Sequence, residues 1–361
     1  METLLSIGTL SFLLIGGTPS GLTSYFPIVL HSNPEAASAS QIYWGANIAA
    51  DTFGLAGNPP YDMQPVSIFE AQTGKAISIL HWEQRWQIGG QNDPFSPELM
   101  DAVRQHGAYS LLDWLSEDDS APNPDFNRPQ YSLSHILDGS FDGYIRQWAS
   151  DAKAWGYPFF LRFDYEMNGD WLAWSERVNG NQAGQYVQAW RHVHDIFTQV
   201  GASNVTWVWC PNVLIPPQYT TPLQSLYPGN AYVDWTCMDG YNWGINPARR
   251  GSWQSFGQIF HDTYTQMMKI APGKPMMLAE IASSEDGGNK AAWIRDALTV
   301  QIPHKYPRIK AVVWFNVNRD GMDWVIETSP QAQSAFAAAI RSTVFTSNQY
   351  ANTTQSPISS P

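Results

Sequence analysis

Short, continuous runs of hydrophobic residues recur along the chain, and longer polar or amphipathic stretches separate them. Most of these runs lack the alternation of a half-exposed strand and are typical of strands that are buried on both faces. They predict eight strands, at Gln41–Asn47, Ala76–Trp82, Tyr109–Trp114, Phe159–Glu166, Val205–Cys210, Trp235–Tyr241, Met276–Ile281 and Ile309–Asn316. Their spacing along the chain is that of strands alternating with helices.

Two of the intervening stretches have a helical period. Gly184–Val200 is predicted to be a helix because its hydrophobic residues are three or four positions apart: Tyr186, Trp190, Val193 and Phe197. Ala291–Val300 predicts a second, shorter helix. Eight strand–helix units predict an α/β fold, a single-domain (β/α)8 TIM barrel with enlarged loops, over residues 41–343.

The rival architecture is an open doubly wound sheet. Such a sheet should carry a glycine-rich turn directly after its first strand. The first predicted strand is instead followed by Ile48-Ala-Ala-Asp-Thr-Phe-Gly54, which lacks this fingerprint. The sequence therefore favours the barrel.

The two ends of the chain differ from the barrel region. Residues 4–15 are apolar and resemble the core of a secretory signal, although neither Lys nor Arg precedes them. We expect residues 1–40 to be a signal-like leader and linker on an exported protein, and a disordered leader or a trimmed gene start is the alternative. Residues 344–361 are rich in Ser, Thr and Pro and predict a disordered tail.

The net charge and the aromatic content limit which classes of partner the protein can bind. The formal net charge of -12 argues against nucleic acid and anionic membranes. The chain contains 17 Trp, 16 Tyr and 16 Phe, and some of these must form the core. The remaining aromatic residues favour a surface that binds carbohydrate, because aromatic rings pack against the C–H faces of sugars. We expect a β-linked polysaccharide or oligosaccharide substrate and a monomeric protein.

Two cysteines are too few for a disulfide scaffold or a cysteine zinc site. Cys210 and Cys237 both lie in predicted strands, so we expect buried free thiols. A single bridge stays open if the two strands are neighbours. No paired-His spacing suits a catalytic zinc, and we expect neither a metal nor a cofactor.

Two glutamates each end a predicted strand. Glu166 ends the fourth, beside Tyr165, and Glu280 ends the seventh. The C-terminal strand ends form the active face of a barrel, so these acids should meet across one opening. Two carboxyl groups, one an acid and one a nucleophile, are what retaining glycoside hydrolysis requires. A salt-bridged structural role for each is the alternative.

Further candidates for substrate binding lie near other strand ends: His81 and Trp82 at the second, Asp239, Tyr241 and Trp243 at the sixth, and Trp314 at the eighth. We expect His81 and Trp82 to bind hydroxyl groups, although a core role for the histidine stays open. Tyr241 should donate to the nucleophile, while the two other tryptophans should line the sugar trough and its floor. Arg162 should orient carboxylates, and Asp113 is a weaker candidate.

The chain resembles glycoside hydrolase family 26. The resemblance lies in Arg162-Phe-Asp-Tyr-Glu-Met-Asn-Gly-Asp-Trp171, where the family has Arg, two residues, His-Glu-Met-Asn-Gly and a nearby Trp. Residues 77–82, 239–241 and 274–280 support it. It implies Glu166 as acid/base and Glu280 as nucleophile. It also implies sugar contacts from this motif and from later strands: Asn168, Trp171, Tyr241 and Trp314.

Tyr165 departs from the family pattern. It replaces the His that, in the mannan-cleaving members, helps to bind the glycone sugar near its 2-hydroxyl. The resemblance implies a retaining endo-β-glycanase that acts on β-1,4-mannan. The departure at Tyr165 keeps mixed-linkage β-glucan and β-1,3-xylan open as alternatives, and the leader-like residues imply that the enzyme is secreted. A barrel that binds polysaccharide without cutting it is the hypothesis of another class.

Overall fold

The structure is a computed structural model that describes residues 41–118, 128–214, 220–246, 251–319 and 321–361. The predicted leader, residues 1–40, lies outside the described residues, so export stays a prediction. Among the described residues, the helices are too short or too polar to cross a bilayer.

Of the nine strands among the described residues, eight are parallel and close into a barrel, which confirms the predicted (β/α)8 fold. The strands are β1 (Tyr43–Ile48), β2 (Ile79–Ile88), β3 (Gln91–Asn92), β4 (Tyr109–Asp118), β5 (Phe159–Phe163), β6 (Val205–Trp209), β7 (Trp235–Asn242), β8 (Met276–Ser283) and β9 (Ile309–Asn316). β1 pairs with both β2 and β9 and so closes the barrel. β3 pairs antiparallel with the outer end of β2.

The helices pack around the barrel. They are α1 (Gln64–Thr73), α2 (Pro97–His106), α3 (Leu133–Leu137), α4 (Asp142–Trp155), α5 (Gln185–Val200), α6 (Leu223–Leu226), α7 (Phe256–Ile270), α8 (Lys290–Asp296) and α9 (Pro330–Ile340). α5 matches the predicted helix within one residue. The other predicted helix begins as α8 and continues as a π-helical segment, Ala297–Lys305.

Each barrel strand buries both of its faces. Residues such as Ile79, Phe160 and Val313 fill the barrel interior, whereas Trp44 and Trp114 belong to the layer between strands and helices. Most of the largest fully buried side chains are tryptophans. Much of the aromatic content therefore serves the core, and the continuous hydrophobic runs follow from this double burial.

Cys210 and Cys237 form a disulfide, so the expectation of free thiols is wrong. Cys237 lies in β7, and Cys210 directly follows β6. These strands are neighbours, with Trp209 opposite Thr236. The pairing brings the two cysteine Cα atoms to 4.5 Å, within the range that a disulfide spans.

The end of the chain crosses the N-terminal opening of the barrel, so the predicted disorder of residues 344–361 is wrong. Tyr350 stacks on Tyr109 with ring centroids 4.6 Å apart. Ile358 is 3% exposed, and its backbone N–H donates to Thr206 Oγ1 at 2.8 Å. Its carbonyl accepts from Trp235 Nε1 at 2.8 Å. The polar composition conceals these anchors, which fill space that the strands leave open.

Ile358→Ala should lower the free energy of unfolding by about 2–4 kcal/mol, because it leaves a cavity in the barrel interior. Chemical denaturation of the purified protein would measure this change. Gln355→Ala is the matched control, since Gln355 is exposed in the same segment. Equal stability of the two variants would show that residue 358 does not anchor the chain end.

Candidate active site

Glu280 lies in β8 and is 6% exposed. Each of its carboxylate oxygens accepts one hydrogen bond. Arg162 Nη2 donates to Oε1, and the Tyr241 hydroxyl donates to Oε2. Burial raises the pKa of Tyr241 well above its usual range, and the negative charge of Glu280 raises it further. The tyrosine therefore keeps its proton and can hold the carboxylate in one orientation.

Arg162 lies in β5 with its side chain fully buried. Its Nε donates to Asp113 Oδ1 at 2.5 Å, and its Nη1 donates to Asp239 Oδ2 at 2.7 Å. Together with the bond to Glu280, these contacts place one guanidinium among three carboxyl groups. The Tyr165 ring covers the guanidinium, with the ring centroid 4.0 Å from Cζ. We call Arg162, Asp113, Asp239 and Glu280 the ion cluster.

The charges of the ion cluster do not balance. Burial alone would raise the pKa of Asp113, but Arg162 and His81 outweigh it and hold that pKa below its usual range. Burial raises the pKa of Asp239 well above its usual range; Arg162 opposes this, while Glu280 adds to it. One guanidinium faces three buried carboxyl groups, and the excess of negative charge favours the protonated form of Asp239.

His81, Asp113 and Glu280 converge closely enough to resemble a metal site, with ligand atoms within 4.8 Å of one another. Arg162 already lies among them, and its Nη2 is 3.2 Å from His81 Nε2. The guanidinium thus supplies positive charge where a metal ion would. His81 Nε2 also lies 2.8 Å from Asp113 Oδ2.

Glu166 lies in the turn that follows β5, three residues beyond the strand end. Its Oε2 accepts from Trp171 Nε1 at 2.6 Å, and its Oε1 accepts from Asn212 Nδ2 at 2.5 Å. Its backbone N–H donates to the Cys210 carbonyl at 2.7 Å. Glu166 is 8% exposed. Its carboxyl group is therefore held by neutral donors, unlike that of Glu280.

The pKa of Glu166 is raised to about 7. Burial is the largest cause, and the nearby charge of Glu280 is the second. Hydrogen bonds from Asn212 and Trp171 oppose the rise because they favour the carboxylate form. A carboxyl group with this pKa can both donate and accept a proton near neutral pH, as a general acid and base must.

Asn168 does not face a substrate, so its predicted role in substrate binding is wrong. It is fully buried, and its Nδ2 donates to the Asn212 carbonyl at 3.0 Å. Its Oδ1 accepts from the Asn212 N–H at 2.9 Å. Asn168 therefore fixes the residue that holds Glu166. Asn212 itself was missed, since it lies in a turn without a sequence pattern.

The indole ring of Trp171 packs directly against the backbone of Gly169. A Cβ atom at position 169 would lie 2.5 Å from the indole ring, so only glycine leaves room for it. The indole is thereby held against Glu166. This placement is compatible with the sugar contact that the sequence predicts for Trp171.

A cleft of about 340 Å³ opens at Glu280. Residues of β1, β2, β4, β8 and β9 line it, and so does the loop between β1 and α1. His81, Trp82 and Tyr165 are among the lining residues, and their contact with a substrate stays a prediction. The cleft thus extends from Glu280 across the β9–β1–β2 side of the barrel.

Trp314 does not form a floor for a substrate, so that prediction is wrong. It is 1% exposed, and its Nε1 donates to the Trp324 carbonyl at 3.1 Å. Its ring packs against Phe336 of α9 with centroids 5.2 Å apart. The next residue, Phe315, lines the cleft instead. Alternation along β9 explains the error, because neighbouring residues face opposite sides of a strand.

The two remaining candidates for substrate binding, Asp239 and Trp243, lie in different environments. Asp239 is fully buried and bound to Arg162, so its predicted contact with substrate is wrong. Trp243 is half-buried, and its ring centroid lies 5.7 Å from that of Tyr241. Trp243 also packs edge-on against Trp324, 4.8 Å away. It therefore supports the tyrosine that contacts Glu280.

Known proteins resemble this chain in sequence and in fold. A sequence model described as Glycosyl hydrolase family 26 matches residues 127–285. Over 282 residues the chain is 36% identical to Endoglucanase H of Acetivibrio thermocellus. That alignment covers 76% of this chain and 29% of Endoglucanase H, so the chain spans less than a third of the relative's length.

Solved structures share the barrel fold. The catalytic domain of an endo-beta-1,4-mannanase from Bacillus sp. JAMB-750 aligns with a TM-score of 0.63 and 18% identity, over 86% of this chain and 90% of that one. The family 26 domain of an endo-beta-mannanase/endo-beta-glucanase from Prevotella bryantii gives 0.60 and 16%, over 88% and 93%. At these identities the likeness supports the fold alone.

The titration of Glu166 should respond in opposite directions to two substitutions. Glu280→Gln should lower the pKa of Glu166, because it removes the neighbouring negative charge. Trp171→Phe should raise it, because it removes a hydrogen bond that favours the carboxylate. Infrared difference titration of the Glu166 carboxyl band would measure both shifts.

Glu98→Gln is the control for that titration, since Glu98 is exposed at the start of α2. It should leave the pKa of Glu166 unchanged. A Glu166 pKa that ignores Glu280→Gln would contradict the electrostatic coupling of the two acids.

Proposed function

Because this chain belongs to glycoside hydrolase family 26, we propose that it is a retaining endo-β-glycanase with β-glucan as its substrate. The observation that carries this proposal is the contrast between the two glutamates. Glu280 is fixed by a guanidinium and a phenol, whereas Glu166 is buried among neutral donors with its pKa raised to about 7. Two acids in such different environments suit a nucleophile and a proton donor.

The mechanism is double displacement. Glu166 protonates the glycosidic oxygen as the Glu280 carboxylate attacks the anomeric carbon, which breaks the bond to the leaving sugar and forms a glycosyl-enzyme ester. Glu166, now ionised, takes a proton from water. The resulting hydroxide attacks the same carbon and releases Glu280. The hydrogen bonds from Arg162 and Tyr241 hold the nucleophile in place through both steps.

β-Glucan takes precedence over mannan for two reasons. The relative that is 36% identical bears a name that states action on glucan, whereas the mannanase structures share only 18% identity or less. Tyr165 also stands where mannan-cleaving members have His, and its ring lines the cleft beside Arg162. A phenol there changes the contacts that are offered to the 2-hydroxyl, at which mannose and glucose differ.

The position of the cleft indicates which part of the substrate chain it would bind. Glu166 must reach the oxygen between the reacting sugar and the leaving chain, and it follows β5. The cleft extends from Glu280 toward β1 and β2, and Glu166 itself is not among its lining residues. We therefore assign it to the glycone part of the chain, which stays attached to Glu280 in the intermediate.

Glu280→Ala should lower kcat on β-glucan by several orders of magnitude, because it removes the nucleophile. Azide should restore part of the rate by attacking the vacated face. Release of reducing ends from mixed-linkage β-glucan, cellulose, β-mannan and β-1,3-xylan would measure both effects and rank the substrates.

Glu98→Ala is the matched control and should retain full activity. Near-normal turnover in Glu280→Ala would show that this residue is not the nucleophile. Wild-type protein that releases no reducing ends from any of the four glycans would favour a binding role over catalysis. Faster release from mannan than from either glucan would reverse the substrate order.

Tyr61→Ala should raise KM for long β-glucan chains about tenfold, equivalent to about 1.4 kcal/mol of binding. Tyr61 lines the cleft and is 68% exposed, so a sugar beyond the reacting one can pack against its side chain. Its loop is anchored where Asn58 Oδ1 accepts from the Ala50 N–H at 2.9 Å. Initial rates on long and short oligosaccharides would measure the effect.

Tyr61→Phe keeps the ring and should bind long chains like the wild type. A short aryl glycoside that occupies only the reacting position should be cleaved normally by both variants. An equal loss on long and short substrates would contradict a remote sugar contact at this tyrosine.

A further inference from the structure

We propose that Asp164 is a positioning residue for the general acid: its side chain, bonded to Ser116, holds the turn that aims Glu166. Asp164 lies two residues before Glu166 and is fully buried. It therefore acts through Glu166 and not on the substrate. This inference rests on the proposed function, in which Glu166 protonates the leaving group.

The turn carrying Glu166 has an unfavourable backbone. Asp164 has φ 41° and Glu166 has φ 50°, and neither residue is glycine. Side chains with a Cβ rarely adopt this left-handed region. Such conformations persist where the surrounding structure holds them, and they concentrate at functional sites. Something must therefore fix this turn.

The side chain of Asp164 ties the turn to β4. Its Oδ1 accepts from the Ser116 N–H at 2.9 Å, and its Oδ2 accepts from Ser116 Oγ at 2.7 Å. Ser116 is part of β4 and is 1% exposed. Both carboxyl oxygens thus contact one rigid, buried residue of the neighbouring strand.

The backbone of Asp164 is held as well. Its N–H donates to the Trp114 carbonyl at 3.3 Å, and its carbonyl accepts from the Tyr186 hydroxyl of α5 at 3.1 Å. Beyond it, the Tyr165 carbonyl accepts from Trp174 Nε1 at 2.6 Å. The turn is therefore fixed between β4 and α5, and Asp164 is the point where both meet.

The protonation state of Asp164 suggests a matched substitution. Burial raises its pKa well above the usual range, and the bonds from Ser116 oppose this only in part. Burial thus shifts Asp164 toward its uncharged form. Asn has the same shape, can accept from the Ser116 N–H and can donate to Ser116 Oγ. Asp164→Asn should therefore preserve the turn.

Asp164→Gly is the disrupting variant. Glycine tolerates φ 41° without strain, so the variant removes the side-chain anchor while permitting the backbone shape. We would compare a 2,4-dinitrophenyl and a phenyl β-glycoside of the same glucose disaccharide. The dinitrophenyl group departs without protonation, whereas the phenyl group needs the acid.

Asp164→Gly should lower kcat/KM on the phenyl substrate at least about tenfold more than on the dinitrophenyl substrate, within the range of general-acid effects. Asp164→Asn should stay within about threefold of wild type on both. Equal losses on the two substrates, or equal effects of Gly and Asn, would overturn the proposal, because a general structural defect does not distinguish leaving groups.

Two further measurements keep the outcome decisive. If Asp164→Gly fails to fold, Ser116→Ala removes only the Oγ donor, and an unchanged ratio between the substrates would overturn the proposal. The indole N–H of Trp171, which donates to Glu166, should shift its NMR resonance in Asp164→Gly but not in Asp164→Asn. This readout needs no turnover, so an inactive wild type would refute the proposed function while leaving the role of Asp164 testable.

Discussion

A single guanidinium enclosed in the barrel organises this protein. Arg162 has no exposed side-chain surface, and removing a charge from water costs several kcal/mol unless partners replace the water. Asp113 of β4, Asp239 of β7 and Glu280 of β8 replace it. The cation thus links four strands, and one of its partners is the proposed nucleophile. Arg162 therefore both fills the barrel interior and holds the Glu280 carboxylate in place.

This arrangement also distinguishes the two glutamates. Glu280 contacts the guanidinium directly, while Glu166 is held by an indole and an amide that carry no charge. Glu280 remains close enough to raise the pKa of Glu166. The negative charge that Arg162 holds in β8 therefore helps to keep the acid protonated. The pKa of Glu166 thus depends on the charge of Glu280.

The sequence predicted the strands well because burial on both faces produces unmistakable hydrophobic runs. The same property hid which residues face the lumen, so Trp314 was chosen where Phe315 lines the cleft. The motif located Glu166 but not Asn212, which depends on a contact between two turns. Composition concealed the order of the chain end, since two hydrophobic anchors count little among Ser, Thr and Pro. The role of Asn212 and the order of the chain end both depend on contacts between segments that are distant in sequence. Such contacts leave no local pattern in the sequence.

The placement of the chain end separates two properties of the molecule. Ile358 and Tyr350 fill the N-terminal opening of the barrel, whereas Glu280 and Glu166 lie toward the opposite opening. Packing improvements at the N-terminal opening can therefore raise thermal stability without altering the face that carries Glu280 and Glu166. Substitutions that aim at higher stability should therefore be made at the N-terminal opening. Substitutions that aim at a different substrate should be made at the opposite opening, near Glu280 and Glu166.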